Sequence, residues 1–138
     1  MLEIQIILTM AIEIKPKSKP NHIELASLLL FARNQIHLLH LQTTSYAQHI
    51  ALNEAYDSLI GFFDDFVETI QGKEGLILKG YKSYPYSEQE PIAYITSVIT
   101  GINSYRKLLT PEYDEIDNML QETVASLEKT IYKLKFLK

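Results

Sequence analysis

Residues 45–72 read SYAQHIALNEAYDSLIGFFDDFVETIQG, and this stretch decides how the rest of the chain must fold. Ser45 followed by Gln48 is a capping-box signal for a helix start, and Gly72 is a typical helix stop. Between them, apolar residues recur at three- and four-residue steps: Leu52, Tyr56, Leu59, Phe63, Phe66 and Ile70. This spacing predicts an amphipathic helix over Tyr46–Gln71 whose apolar face needs other helices to cover it.

The same predicted helix carries a stripe of residues with metal-binding side chains. His49, Asn53, Asp64 and Glu68 are separated by steps of 4, 11 and 4 residues. These steps return to nearly the same side of a helix. His37 stands 12 residues before His49, near the end of the preceding amphipathic segment. Since the chain has no cysteine, any metal must be held by imidazole and carboxylate, which suits iron, manganese or zinc.

This stripe is too long to bind one ion within one molecule. At about 1.5 Å per residue, His49 and Glu68 lie roughly 30 Å apart, whereas the ligands of one metal lie within about 2.5 Å of it. An antiparallel second copy, related by a two-fold axis, would place the histidine end of one subunit against Asp64 and Glu68 of the other. The spacing therefore predicts a site that belongs to a dimer.

At these positions the sequence resembles the Dps family of miniferritins, the DNA-protection proteins of starved cells. That family has a histidine on its first helix and the patterns His-x3-Asp and Asp-x3-Glu on its second, with the carboxylate pair supplied by the two-fold partner. Four of the five positions match here, and the departure is Asn53, a neutral amide in place of a carboxylate. The resemblance continues through the sequence KSYP at residues 82–85 and covers the chain from about Asn21 to its C-terminus.

The resemblance implies a dodecameric homo-oligomer, a hollow shell in which ferrous iron is oxidised at the dimer interfaces, preferentially by hydrogen peroxide, and then stored. It implies five metal ligands, which are His37, His49, Asn53, Asp64 and Glu68. All of them except Asn53 would also be catalytic. Because Asn53 lacks a charge, we expect one tight and one poor metal position, with Asp57 partly compensating. The rival interpretation is a structural subunit with a degraded metal site, which uses its N-terminal segment for oligomer or partner contacts.

Further start signals predict three more helices. In chain order they are Asn21 with Glu24, Ser87 with Glu90 before Pro91, and Thr110-Pro111-Glu112. A long connection over 73–86 separates the second helix from the third, and Leu76-Ile77-Leu78 is a candidate remnant of the short helix that the Dps-like family carries there. We therefore predict an all-α, ferritin-like four-helix bundle over 21–138 with a long crossover between helices 2 and 3. We expect His22 at the surface. His40, one turn from His37, is expected at the edge of the core, and the alternative is a supporting position behind the metal ligands.

The N-terminal segment has a different period. Every even position from Leu2 to Ile14 is apolar, and several odd positions are polar, which predicts a β-strand. Pro16 and Pro20 follow, so we predict a strand arm and linker over 1–20 that pairs with another element or another chain, unless Met10 is the start.

Composition limits the remaining function classes. The chain has 138 residues with 46% hydrophobic content, which suits one domain. No uninterrupted apolar run approaches the length of a membrane span and no leader is evident, so we expect a cytoplasmic protein. The net charge of −4 argues against broad nucleic-acid binding. DNA binding would need a local cluster, and the candidates in the linker are Lys15, Lys17 and Lys19.

Overall fold

A computed structural model describes residues 19–138, so the predicted strand and the basic residues Lys15 and Lys17 lie outside the described residues. The described part of the chain is all-helical and contains no strand. Its elements are α1 (His22–Gln42), α2 (Tyr46–Glu74), α3 (Pro91–Arg106), a 3-10 turn (Pro111–Tyr113) and α4 (Asp114–Phe136). Within residues 19–138, no helix is long and apolar enough to cross a membrane.

The four helices pack with α1 and α4 each contacting both α2 and α3. His22, at the start of α1, contacts Glu74 at the end of α2 and Tyr105 at the end of α3. His40, at the end of α1, contacts His49 at the start of α2. Ser87, just before α3, is hydrogen-bonded to Gln35 in the second half of α1. Since α2 and α3 both run antiparallel to α1, they run parallel to each other. Their side chains meet in the core, where the rings of Phe66 and Tyr105 pack edge-on with centroids 5.6 Å apart.

The connection between α2 and α3 follows α1 without forming a helix of its own. The backbone N–H of Lys82 donates to Ser27 Oγ at 2.9 Å, and Tyr84 packs edge-on against Phe31 with ring centroids 5.9 Å apart. Further along, the Gln35 side chain donates to the carbonyl of Ser87 at 2.7 Å and accepts from its N–H at 3.3 Å. Side chains of α1 thus form hydrogen bonds with three backbone groups of the crossover. The candidate helix at 76–78 does not form.

Two predicted helix boundaries are wrong. α2 continues past Gly72 to Glu74, and Gly75 ends it with a left-handed φ of 65° and an N–H bonded to the carbonyl of Gln71 at 2.9 Å. This is the conformation that glycine adopts without strain at helix ends. Ser87 does not cap α3 as predicted, because its backbone is hydrogen-bonded to the Gln35 side chain. The cap is Glu90, whose carboxylate accepts from two backbone N–H groups of the first turn.

The apolar faces of all four helices form one core. The largest fully buried side chains are Phe66, Leu29, Ile36, Leu52, Leu59, Ile70, Ile95, Ile102, Ile116, Leu120, Leu127 and Val98. On α2, five of the six residues predicted to face the core are buried, and Phe63 is partly buried. The hydrophobic period therefore identified the buried face of α2 correctly, and the opposite face of that helix remains open.

His22 does not lie at the surface as expected, because it links three helix ends. Its Nδ1 lies 2.7 Å from the hydroxyl of Tyr105, and its Nε2 lies 3.7 Å from a carboxylate oxygen of Glu74. The Tyr113 hydroxyl donates to the same carboxylate, which raises the pKa of Tyr113 to about 12. Burial lowers the pKa of His22, and the neighbouring Glu74 only partly opposes that shift. His22 is therefore held in its neutral form at this end of the bundle.

Alanine substitutions at the two glycines test where α2 ends. Gly72→Ala should stabilise the protein by up to ~1 kcal/mol, because position 72 is helical and a Cβ there meets open space. Gly75→Ala should destabilise it by about 1 kcal/mol, because alanine resists positive φ. Urea unfolding followed by circular dichroism measures both changes. If Gly72→Ala proves the more harmful variant, α2 ends where the sequence pattern placed it.

Acid should weaken the protein through His22. Its folded-state pKa lies below the unfolded value, so the unfolded chain takes up the proton first as the pH falls. The contribution is complete above about pH 6.5 and is lost below it, with a slope of at most about 1.4 kcal/mol per pH unit. His22→Gln does not titrate and retains a polar group that can hydrogen-bond Tyr105. The stability difference between wild type and this variant, measured in urea at about pH 7.5 and about pH 5.5, should therefore change in favour of the variant. A difference independent of pH would contradict this account.

Candidate functional site

The open face of the α1–α2 pair carries all five predicted ligands, but at two separate ends. His37, on α1, and His49 and Asn53, on α2, lie at the end of the pair where the two helices join. Asp64 and Glu68 lie three to five turns further along α2, and both are exposed. Neither carboxylate makes an ion pair or a side-chain hydrogen bond with the described residues. We refer to these as the histidine end and the acidic end.

Four aromatic rings pack together at the histidine end. His40 stacks on His49 with ring centroids 3.6 Å apart, and His37 stacks on Tyr56 at 4.2 Å. His40 also meets the edge of Tyr56 at 5.2 Å, which joins the two stacks. The structure therefore brings His37 and His49 to one cluster, with His40 and Tyr56 between them.

Reciprocal hydrogen bonds orient the two stacked imidazoles. Nδ1 of His40 lies 2.7 Å from the carbonyl oxygen of His49, and Nδ1 of His49 lies 3.0 Å from the carbonyl oxygen of His40. A carbonyl only accepts, so each Nδ1 carries a proton and each neutral ring keeps its lone pair on Nε2. This is the tautomer in which histidine commonly binds a metal while its other nitrogen donates to a carbonyl. The lone pair on Nε2 of His49 is therefore not used by this pair of hydrogen bonds.

His40 has a larger role than the sequence suggested. Its expected place at the edge of the core is confirmed, because the residue is only 6% exposed. The structure adds that it holds the ring of His49, which sequence analysis missed. The signal available in the sequence was the nine-residue separation across the short link between the two helices, which brings the end of α1 beside the start of α2.

Asn53 is engaged by its own helix. Its Oδ1 accepts a hydrogen bond from the Tyr56 hydroxyl at 2.7 Å, and its Nδ2 donates to a carboxylate oxygen of Asp57 at 3.2 Å. An amide oxygen has two lone pairs, so one remains for a ligand. The exposed carboxylate of Asp57 lies at the margin of the cluster and brings the one negative charge that Asn53 lacks.

Arg33 is the other residue of the histidine end that the sequence analysis did not single out. Its Nη1 lies 3.4 Å from Nδ1 of His37 and 3.2 Å from Oδ1 of Asn34. The guanidinium carbon lies 5.3 Å from the centre of the Tyr56 ring, within cation–π range. Its Nε is buried and has no hydrogen-bond partner among the described residues. The i, i+4 spacing of Arg33 and His37 on α1 was the signal that placed them side by side.

A single subunit does not assemble a complete metal site within residues 19–138. No group of three or more histidine, aspartate and glutamate side chains there is close enough to hold one ion. With about 1.5 Å of rise per residue, His49 and Asp64 lie roughly 22 Å apart along α2. The predicted carboxylates and histidines therefore do not meet within one chain.

A cavity of about 590 Å³ lies elsewhere, between α1 and α3. It is lined mainly by apolar residues, among them Leu25, Leu28, Gly101 and Tyr105, and contains none of the predicted ligands. We therefore treat the α1–α2 face as the candidate site.

Comparison with known proteins gives one result. A family described as a family of unknown function (DUF5856) matches residues 40–134. The matched range includes four of the five predicted ligands, from His49 to Glu68, and begins after Arg33 and His37. Neither the curated proteins nor the solved structures contain a significant match. Because the match spans more than half of the chain, the protein belongs to the DUF5856 family.

Proposed function

We propose that this chain is a ferritin-like, Dps-like subunit that binds and oxidises Fe(II) at sites shared between two copies. The observation that carries the proposal is the division of one open helix face into a histidine end and an unpaired acidic end. The histidine end carries imidazole nitrogens, and the acidic end carries carboxylates that have no partner among the described residues. Imidazole nitrogen and carboxylate oxygen together form a ligand set that suits iron.

The spacing along α2 supports a two-fold arrangement. The pair His49 and Glu68 and the pair Asn53 and Asp64 share one midpoint, between residues 58 and 59. A two-fold axis through that point, with the two α2 helices antiparallel, brings both pairs face to face at once. Each dimer then has two equivalent sites, each with the histidine end of one copy and the acidic end of the other.

Exposed apolar side chains border the same face. They are Leu41 on α1 and Tyr46, Ile50 and Ile60 on α2. Contiguous exposed apolar surface is typical of protein interfaces. An interface along α2 would bury Ile60 close to the two-fold axis, while the polar stripe beside it supplies the ligands.

The topology also supports a ferritin-like subunit. α2 and α3 run parallel and are joined by a long crossover, which is the connectivity of ferritin-like bundles. The ferritin-like core of many di-iron proteins contains inward-facing carboxylates. Here the core is apolar and the acidic residues point outward, which favours a site between subunits over one inside the bundle.

In the proposed oxidation, the protein positions the iron and forms no covalent bond with the peroxide. Two Fe(II) ions give up one electron each, and one peroxide accepts both electrons with two protons to form two water molecules. Asp64 and Glu68 would supply negative charge that favours Fe(III) over Fe(II), and His49 would supply neutral nitrogen from the tautomer described above. His37 and Asn53 would complete the ligand set.

The second candidate is a structural subunit that assembles without oxidising iron. The observation that favours it is the engagement of Asn53, whose amide already bonds Tyr56 and Asp57. In that case the α1–α2 face still joins two copies, and the histidine cluster stabilises the link between α1 and α2.

Removing the acidic end should abolish tight metal binding while preserving the fold. Asp64→Asn and Glu68→Gln are exposed substitutions, so the helical circular dichroism should stay unchanged. We expect each to weaken Fe(II) binding at least tenfold in anaerobic titrations and to slow peroxide-dependent oxidation. Asp65→Asn is the matched control, because Asp65 is exposed like its neighbour Asp64 but points about 100° away from Asp64 around α2. Equal losses in all three variants would show that general acidity, and not this site, attracts the metal.

Restoring the missing carboxylate should improve the second metal position. Asn53→Asp adds an anionic ligand, and the number of charged ligands tunes metal affinity. We expect tighter binding of a second equivalent and faster oxidation, at some cost in stability because the new carboxylate faces Asp57 and loses one hydrogen bond. Calorimetry with Mn(II) and stopped-flow oxidation of Fe(II) measure the two effects. An unchanged stoichiometry and rate would place residue 53 outside the ligand set.

A further inference from the structure

We propose that Arg33 weakens the second cation position of each shared site, because its positive charge repels a second ion and its contact occupies His37. This inference rests on the proposed metal-binding function and adds a residue that determines how tightly the site accepts a second ion. Three observations carry it: the contact of Arg33 with His37, the charge of the histidine end, and the packing of the guanidinium on Tyr56.

The contact with Arg33 commits both nitrogens of His37. A guanidinium is always protonated and can only donate, so Nδ1 of His37 must accept at 3.4 Å. In the neutral ring the proton then sits on Nε2, and no lone pair is left for a metal. His49 has the opposite tautomer and a free Nε2, as its bond to the carbonyl of His40 requires. The two predicted histidine ligands are therefore unequal, and His37 binds a metal only after Arg33 releases it.

The charge at the histidine end works in the same direction. Arg33 contributes one positive charge, Asp57 one negative charge, and Asn53 none. The side chains of this end sum to zero before the partner's carboxylates are added. Asp64 and Glu68 of the second copy would bring two negative charges, which balance one divalent ion and not two. A fixed cation beside the site makes a second ion still less favourable, since like charges at such distances repel strongly where water is excluded.

The guanidinium of Arg33 is held in place by its own subunit. Its carbon lies 5.3 Å from the centre of the Tyr56 ring, within cation–π range, and its Nη1 contacts His37 and Asn34. Its Nε is buried without a hydrogen-bond partner among the described residues. The positive charge is therefore fixed beside His37.

The chain provides a matched control for the test. It has two arginines, Arg33 and Arg106, and the latter pairs with Asp117 at 2.7 Å at the opposite end of the bundle. We would titrate Mn(II) and Zn(II) by calorimetry into the wild-type chain, Arg33→Gln, Arg33→Lys and Arg106→Gln. Circular dichroism and solution mass would be recorded for each protein. Should Arg33→Gln fail to fold, Arg33→Met provides a second neutral variant that keeps the packing on Tyr56.

We expect wild type, Arg33→Lys and Arg106→Gln to bind one ion per subunit. Arg33→Gln should bind a second, or bind it at least about tenfold more tightly, because the competing charge is gone and His37 is released. If wild type binds one ion and Arg33→Gln matches it in stoichiometry and affinity, this inference is wrong while the proposed function stands. If Arg33→Lys gains the second ion as well, charge is not the cause and the inference is also wrong. If neither the wild type nor any variant binds Mn(II) or Zn(II), the proposed function fails, and this inference with it.

Discussion

The structure depends on the burial of one face of α2. This helix of 29 residues contacts both α1 and α4, and its apolar face supplies Leu52, Leu59, Phe66 and Ile70 to the core. Each fully buried side chain of this size contributes about 1.5–3 kcal/mol relative to its exposed state, so the helix cannot rotate without losing most of the core. Because the core fixes the rotation of α2, it also fixes which residues face outward, and these include every predicted ligand on that helix.

The link between α1 and α2 then decides the details of the histidine end. Only Thr43, Thr44 and Ser45 separate the two helices, so the last turn of α1 lies beside the first turn of α2. That proximity lets the rings of His40 and His49 stack and bond each other's carbonyls. The result is a pair of imidazoles whose tautomers are set by backbone groups. The orientation of the two rings is therefore a product of helix packing.

Two residues separate this site from a simple match to the Dps pattern. Asn53 removes a negative charge, and Arg33 adds a positive one within reach of His37. In the proposed site, both differences would reduce the attraction for a second divalent cation. The same face would then have to join the two copies and bind the metal.

The sequence by itself determined the number of helices, most of their starts and the buried face of α2, because hydrophobic period and capping residues are local properties of the chain. It also determined that His49, Asn53, Asp64 and Glu68 share one side of α2, since helical geometry is the same in any fold. Only the tertiary structure decided that His40 orients His49, that Arg33 holds His37, and that His22 joins three helix ends. Those contacts link residues far apart in the chain, or depend on which rotamer the packing allows. Likewise, the sequence pattern ended α2 at Gly72, whereas the structure continues the helix to Glu74. The added residues make contacts that a local pattern does not encode, since Lys73 pairs with Glu115 on α4 and Glu74 accepts a hydrogen bond from Tyr113 just before α4.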